Sequence, residues 1–321
     1  MTIKTTMRSL LAAGVLLLGA AVQAQDKGPI KMVVPFGAGT TTDTVGRIVG
    51  EALGKNLQQT VIVDNRAGAG GSTGSDMVAK SAPDGRTLVM GTVGTHAINA
   101  SLFSKLPYDP MRDFAPVAFI GYTPTLLVVA ADSPIKSLKD LAAAAARPQG
   151  VTFASAGNGT SGHLAGELLA QRLGGKMLHV PYKEGAMALT GVISSQVDFM
   201  FYHPAAVMPQ IKAGKLRALG SSGAVRSAAA SDVPTLMEQG VADFDLVAWF
   251  MLYAPAATPA ATLAQLRTAS AAALAQPDVM ARLRDQGIES RPMRADEMQP
   301  FNKTELGKWA GLVKRSGAQV D

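Results

Sequence analysis

The chain has no cysteine among its 321 residues. Disulfides, thiolate nucleophiles and cysteine-based metal sites are therefore excluded together. A chain this long builds a core without staples, so the absence says little about compartment. Aromatic residues are scarce, at 5%, and the lysines and arginines are scattered rather than gathered into a stripe interleaved with aromatics. That argues against a nucleic-acid partner. The four histidines, His96, His163, His179 and His203, include no H-E-x-x-H and no pair at i, i+4. His163 and Glu167 do stand one helical turn apart, a spacing that serves a surface pair or a cap more often than a metal, so neither metal nor cofactor is expected. Long apolar runs are missing too. Beyond residue 24, no stretch of about 20 residues is free of charge or proline, so no membrane span is predicted.

What is present begins with an export signal over residues 1–24. Lys4 and Arg8 form a basic start, Leu10 to Ala21 an apolar core, and Val22-Gln23-Ala24 a small-x-small cleavage site, with Gln25 as the expected mature start. Position 25 offers no thiol for a lipid anchor, which favours free diffusion in a periplasm. Cleavage would take two positive charges from a formal +6 and leave a mildly basic chain, long enough for two medium α/β domains. A monomer is expected.

The mature chain alternates strand-like and helix-like segments. Ile30 to Pro35 reads as a strand, and Asp43 to Leu57 as a helix with Val45, Ile48, Val49, Ala52 and Leu53 on one stripe. Val61 to Asp64, about Thr73 to Ser81, and Thr87 to Gly91 continue a βαβαβ pattern, which predicts a parallel sheet covered by helices. After the apolar runs Val117 to Ile120 and Leu126 to Ala130 the alternation restarts, and runs to Leu216–Gly220. Beyond Leu246 to Ala254 only helices follow: Thr262 to Ala275, Pro277 to Gly287 and Glu297 to Lys314. With no new sheet to cover, this tail is expected to return to the first unit. The chain would then cross between domains twice, giving one lobe of residues 25–124 plus 247–321 and another of 125–246, with a hinged cleft between them.

The most informative stretch is Val151 to Glu167, VTFASAGNGTSGHLAGE. A short strand, a glycine turn and a helix start aim several backbone N–H groups at one spot, with the positive end of a helix dipole behind them. Gly157, Gly159 and Gly162 also match G-x-G-x-x-G, with Glu184 about twenty residues on. Three readings stay open on the residues alone: nucleotide phosphates, a small carboxylate, or a tight turn without a ligand. Ligands in open α/β sheets sit beyond the carboxyl ends of strands. That rule selects Phe36, Gly37, Ala38, Gly39, Thr40, Thr41 and Asp43 after the first strand, with Thr42 or Asp43 a candidate helix cap. It also selects Thr92, Thr95 and His96 after the third. In the second unit it selects Gly157, Asn158, Gly159, Thr160, Ser161 and His163, and then Asp198, Tyr202 and His203. The alternative is an exported α/β enzyme, an acyl hydrolase or nucleotide-dependent, using the Gly157–Gly162 turn. Phe153-Ala154-Ser155-Ala156-Gly157 lacks the first glycine of G-x-S-x-G, however, and no acid and histidine follow in a recognisable setting.

Val34-Pro35-Phe36 through Asp43, Val63-Asp64-Asn65-Arg66-Ala67-Gly68-Ala69-Gly70-Gly71, Ala82-Pro83-Asp84-Gly85 and Leu106-Pro107-Tyr108-Asp109 resemble the solute receptors of tripartite tricarboxylate transporters, the Bug family. The likeness continues through Ala154 to Ser161 with His163, His179-Val180-Pro181-Tyr182-Lys183, Val197-Asp198, Ala213 to Leu219 and Asp232-Val233-Pro234-Thr235. It implies a type II-like periplasmic binding protein, two doubly wound α/β lobes joined by two crossing strands. Such a protein closes on a small carboxylated solute and presents it to a membrane permease. It also implies ligand contacts from Phe36 to Asp43 and from Gly157 to His163. Two departures stand out: Thr40-Thr41-Thr42 where many members keep more glycine, and Tyr202-His203 where the family commonly has Asp. The second predicts a preference for dicarboxylates, aromatic ones included. It also predicts affinity that falls as pH rises through roughly 6 to 7 if His203 acts as a cation.

Overall fold

The computed structural model describes residues 28–316 and 318, so the expected export signal lies outside the described residues. The chain opens with β1 (Ile30–Val34), α1 (Thr41–Leu57), β2 (Val61–Asn65), α2 (Ser72–Ala79) and β3 (Thr87–Thr92). A π-helical turn over Gly94–Ile98 leads into α3 (Asn99–Leu102), and β4 (Phe114–Pro124) then carries the chain away. A second unit follows with β5 (Leu126–Ala130), α4 (Leu138–Ala145), β6 (Val151–Ser155), α5 (Ser161–Leu173), β7 (Met177–Pro181), α6 (Gly185–Ile193), β8 (Phe199–Tyr202), α7 (Pro204–Lys212) and β9 (Leu216–Ser221). Strand β10 (Val247–Pro255) returns the chain, and α8 (Ala260–Leu274), α9 (Pro277–Asp285) and α10 (Ala295–Ser316) close it.

These elements make two α/β lobes with one plan. The sheets run β2-β1-β3-β10-β4 and β7-β6-β8-β5-β9. In each, three parallel strands at one edge are joined by crossover helices, as parallel pairing requires. The fourth position in each is an antiparallel strand that has just crossed from the other lobe: β10 in the first sheet, β5 in the second. β10 also pairs with β4 from Val247↔Pro124 to Pro255↔Phe114, so the two connections run side by side as a ribbon. At its second-lobe end Ser222 knits them together. Its Oγ accepts from the Thr125 amide (2.9 Å) and donates to the Leu246 carbonyl (2.6 Å).

The inner strands β3 (Thr-Leu-Val-Met-Gly-Thr) and β8 (Phe-Met-Phe-Tyr) are buried on both faces and do not alternate, whereas β2 and β7 at the sheet edges are only partly buried. One face of the first sheet packs Met32, Leu88 and Phe250 under α1, α8 and α9. The other joins a core that continues into the second lobe through Trp249, Trp309, Leu168 and Phe153. This departs from the expectation that the tail serves the first unit alone. α8 and α9 do so, but α10 lies across both lobes. Glu305 accepts from the indoles of Trp249 (2.8 Å) and Trp309 (2.9 Å), and Asn302 accepts from the Tyr253 hydroxyl (2.9 Å). The far end of α10 reaches α5, where Gln171 donates to the Arg315 carbonyl at 2.7 Å. Buried polar groups must find partners, and those on β10 find theirs on this helix, behind the crossing strands.

Candidate functional site

Two helix starts face each other across the cleft, and both are capped by threonine. At α1 the cap is Thr40, two or three residues earlier than the sequence suggested. Thr40 Oγ1 accepts from the Asp43 amide (3.3 Å) and donates to the Gly37 carbonyl (2.8 Å), while the Gly39 amide donates to Asp43 Oδ2 (2.9 Å). Thr40, Thr41, Thr42 and Asp43 are all acceptable cap types, so local preference could not decide among them. The carboxylate at Asp43 does, because it reaches back to the Gly39 amide and closes a capping box. Asp43 is therefore committed to the fold. Burial pushes its pKa up, but Arg47, the Gly39 amide and Asn65 outweigh this and hold it below the ordinary carboxylate value. Among Asp43, Arg47 and Asn65 the contacts are 3.0–3.1 Å, and the Asn65 amide also donates to the Phe36 carbonyl.

At α5 the same layout recurs. Thr160 Oγ1 accepts from the His163 amide (3.4 Å) and donates to the Gly157 carbonyl (2.8 Å), and the Gly159 amide donates to His163 Nδ1 (3.3 Å). The acceptor role leaves Nδ1 bare and the proton on Nε2, which faces Glu167 Oε1 at 3.6 Å. His163 also stacks on His179, with ring centroids 4.1 Å apart and planes 22° apart. His179 was not selected as a site residue from the sequence, being 16 residues from its partner and on a different element. Its pKa is pushed down to about 3, by burial first and by the neighbouring His163 second. The ligand atoms of His163, Glu167 and His179 lie within 4.8 Å of one another. A shared ion would have to lie in both ring planes, and planes so nearly parallel do not meet within a metal–nitrogen bond of about 2.1 Å. The pair is a stack and not a chelate.

His179 Nε2 is 2.7 Å from Ser155 Oγ, a distance that suits a nucleophile and its base. The surroundings do not. Ser155 is fully buried, its hydroxyl is engaged with the Gly157 carbonyl and amide, and no carboxylate bonds to His179 among the described residues. An imidazole with a pKa near 3 is also too weak a base at neutral pH.

The glycines have separate tasks. Gly157 and Gly159 have φ of +112° and +79°, which glycine adopts freely. Gly162 is in the helix, where any Cβ would collide with the Phe201 carbonyl, so it lets α5 pack onto β8. The turn also meets the first lobe. A Cβ on Gly94 would stand 2.8 Å from the Gly159 carbonyl, one on Gly70 would collide with the Asn158 carbonyl, and one on Gly159 with Asn99 Oδ1. At Gly37 the approach is to the Glu184 carboxylate, at 3.1 Å. The lobes touch glycine to backbone, so the cleft is closed.

Between them lies a cavity of about 50 Å³, room for roughly four waters at 10–15 Å³ each. Of the expected residues, Phe36, Thr40, Thr41, Thr92, Thr160, Ser161, Tyr202 and His203 line it. Gly37, Ala38, Gly39, Gly157, Asn158 and Gly159 shape the bordering loops, and His163 supports the second from beneath.

Four expectations are corrected by placement. Asp43 is locked in the α1 cap. Thr95 is fully buried and accepts from the Thr92 amide at 2.9 Å. His96 faces the core, stacked on Tyr253 with centroids 4.0 Å apart and edge-on to Phe114, because the segment after β3 turns into a helix instead of a loop. Burial takes its pKa down to about 3. Asp198 is exposed, accepts from the Thr152 amide (2.7 Å) and hydroxyl (2.9 Å), and precedes β8, so it lies at the wrong end of the strand.

His203 is not a cation. Burial lowers its pKa to about 4, so the pH dependence expected through 6 to 7 has no source there. Tyr202 lines the cavity and packs its hydroxyl against Gly185, at the start of α6, the helix that precedes its strand. Burial raises its pKa to about 12. Thr42, Val93, Gly94, Ala156, Gly162, Phe201, Ala248 and Phe250 also line the cavity, and of these Ala248 and Phe250 lie outside every stretch the sequence singled out. Ala248 and Phe250 are on the crossing strand β10, where an apolar residue carries no local sign of a ligand.

The sequence profile described as "Tripartite tricarboxylate transporter family receptor" matches residues 45–318. Protein BugT of Bordetella pertussis is 35% identical over 294 residues, covering 91% of this chain and 90% of its own. An R. palustris protein solved with adipate superposes with a TM-score of 0.88 at 32% identity, over 92% of this chain and 100% of that one. MatC from Rhodopseudomonas palustris, solved with bound malate, gives 0.84 at 34% identity over 89% and 99%.

Proposed function

The chain belongs to the family of tripartite tricarboxylate transporter receptors, and on that premise we propose that it captures a small di- or tricarboxylate in its cleft and delivers it to the membrane subunits of such a transporter. The family consists of periplasmic binding receptors, not enzymes. In this reading the exported, monomeric protein has residues 25–124 plus 247–321 as one lobe and 125–246 as the other. Its ligand contacts come from Phe36 to Thr41, Thr92, Thr160, Ser161, Tyr202 and His203.

The observation that carries the reading is the pair of threonine-capped helix starts converging on one cavity. Neutral donors and helix dipoles hold an anion reversibly and leave nothing poised to attack it. Adipate and malate in two relatives are ligands of the same chemistry. A ligand touching both lobes favours the closed state, and closure is what a permease can recognise.

The test is a thermal-shift panel of about twenty acids, from citrate and C4 to C6 dicarboxylates through phthalate isomers and nicotinate to acidic amino acids, followed by recovery of the bound ligand. A di- or tricarboxylate should give the largest shift and be recovered unchanged. Amino acids as the best ligands would overturn the ligand class. Time-dependent product formation abolished by Ser155→Ala would overturn the receptor reading.

A further inference from the structure

The glycine turn of the second lobe rests on Asn99, the first residue of α3, whose side chain lies outside the cavity. A Cβ on Gly159 would collide with Asn99 Oδ1 and stand 3.3 Å from Leu102 Cδ2, so the Gly159 backbone covers the end of that amide. Asn99 is fully buried. Its Nδ2 donates to the Gly70 carbonyl (3.0 Å) and to Ser72 Oγ (3.2 Å). Both amide hydrogens are thereby engaged within the first lobe, so the oxygen and not the nitrogen faces the turn. Among the described residues Oδ1 accepts no hydrogen bond.

The two bonds from Nδ2 hold a strained segment. Gly68, Ala69, Gly70 and Gly71 have φ of +145°, +45°, +61° and +87°, a run that includes an alanine in a conformation it adopts only at a cost. This segment is the first lobe's seat for the turn, because a Cβ on Gly70 would collide with the Asn158 carbonyl and stand 3.5 Å from Asn99 Oδ1. Closure thus brings a backbone carbonyl and an amide oxygen to one glycine. Among the described residues no hydrogen bond joins the Asn158–Thr160 turn to the first lobe. What Oδ1 meets is the Cα–H of Gly159, a donor about half as strong as an N–H. When the lobes part, the turn leaves and water takes its place, so closing exchanges a full hydrogen bond for a weaker contact.

Resting on the carboxylate-receptor reading, we propose that Asn99 is a positioning residue that sets the threshold for closure: its amide hydrogens hold the 68–71 seat in shape, while its carbonyl oxygen penalises the closed state. The empty receptor then rests open and closes only on a ligand that bridges both helix starts, since a ligand shifts the equilibrium by no more than its differential affinity for the two states. The same penalty lowers the affinity of the loaded form and favours release.

The chain has no cysteine, so Ile62→Cys and Leu178→Cys, at exposed positions on the edge strands β2 and β7, give one spin label in each lobe of the mature protein. Double electron–electron resonance then reads their separation, with adipate, malate and citrate as probes, and titration calorimetry reads affinity. The ligand-free protein should show the long separation, and a bound probe should shorten it. Asn99→Ala should populate the short separation without ligand and tighten binding at least about fivefold, the low end for an unsatisfied buried acceptor. Asn99→Asp puts a carboxylate against the same oxygens and should weaken binding at least about tenfold. Both variants lose the donor to Gly70 and should melt lower, so a merely structural role would move both affinities down together.

An alanine variant that binds no tighter than its parent, or a ligand-free parent already at the short separation, would overturn the proposal. Should the alanine variant not fold, Asn99→Ser, too short to reach Gly159, carries the same expectation and the same refutation. If none of the three acids binds or shortens the separation, the receptor reading fails, and the ligand-free separations still decide the role of Asn99. Closure on a ligand without tighter binding in the variants removes the present inference alone.

Discussion

The starts of α1 and α5 are built on one plan and carry opposite electrostatics. In each, the threonine cap donates to a glycine carbonyl three residues back, and the preceding glycine amide donates to the side chain three residues after the cap. In each, that side chain meets an oppositely charged type four residues on, Asp43 with Arg47 and His163 with Glu167. The first start thus has a carboxylate folded onto it, which spends part of the dipole. The second has a neutral acceptor and leaves its dipole free for a ligand. The difference assigns the lobes unequal work: the second anchors the anion, and the first closes over it.

The sharpest way to break the comparison is at the paired glycines. Gly39 and Gly159 have nearly the same φ, +78° and +79°, but only Gly159 has a neighbour that a Cβ would strike. Gly159→Val should abolish binding, a loss of a hundredfold or more by titration calorimetry, because the lobes can no longer meet. Gly39→Val should cost stability of about 1–3 kcal/mol through strain alone and leave affinity within tenfold. Equal losses at both positions would mean that closure does not depend on the Gly159 contact.

Next in size are the first hydroxyls of the two helices. Ser161→Ala removes a donor at the free dipole, and a charge-assisted hydrogen bond of about 1.5–3 kcal/mol corresponds to roughly 10- to 150-fold in affinity. Thr41→Ala, next to the compensated start, should cost less than fivefold. A larger effect at Thr41 would reverse the assignment of anchor and lid.

The smallest effect is on stability against pH, and it separates the two starts by window. Asp43 titrates below its ordinary value in the fold, so its contribution is complete above pH 3.8 and is lost as pH falls through the folded value. His179 is held neutral down to about 3, against an ordinary 6.5. Protons therefore favour the unfolded chain between those values, and stability is lost as pH falls from 6.5 toward 3. His96 and His203 act in the same sense. The melting temperature should start to fall below pH 6.5. His179→Phe should flatten the limb between pH 6.5 and 4, and Asp43→Asn should alter only the limb below 4. A limb unchanged by His179→Phe would show that its ring is solvated and ordinary.

Most elements were legible because each rests on a local pattern. The apolar stripe Val45, Ile48, Val49, Ala52, Leu53 marks α1, and Ser137 caps α4, with its Oγ accepting from the Asp140 amide at 3.1 Å. The β4–β5 and β10 crossings could be placed because three helices without strands had to belong somewhere. Other features had no local sign. His96 followed a strand, as a ligand group would, and was taken into the core by the π-helical turn after β3. Asp198 was grouped with the carboxyl end of its strand although it precedes β8, which starts at Phe199. Ala248 and Phe250 are ordinary sheet residues until the second lobe folds against them.

By itself the sequence determined the alternation of strands and helices, the two glycine-rich turns and the helix starts that follow them. These rest on backbone preferences and hydrogen bonds reaching no further than a helical turn. Only the tertiary structure decided the charges. Asp43 stays charged because Arg47 and Asn65 surround it, His179 lost its basicity to burial against His163, and His203 lost its own to burial beside Tyr202 and Phe250. A side chain's type limits the protonation states it can adopt, but desolvation and partners choose among them, and those come from residues distant in the chain.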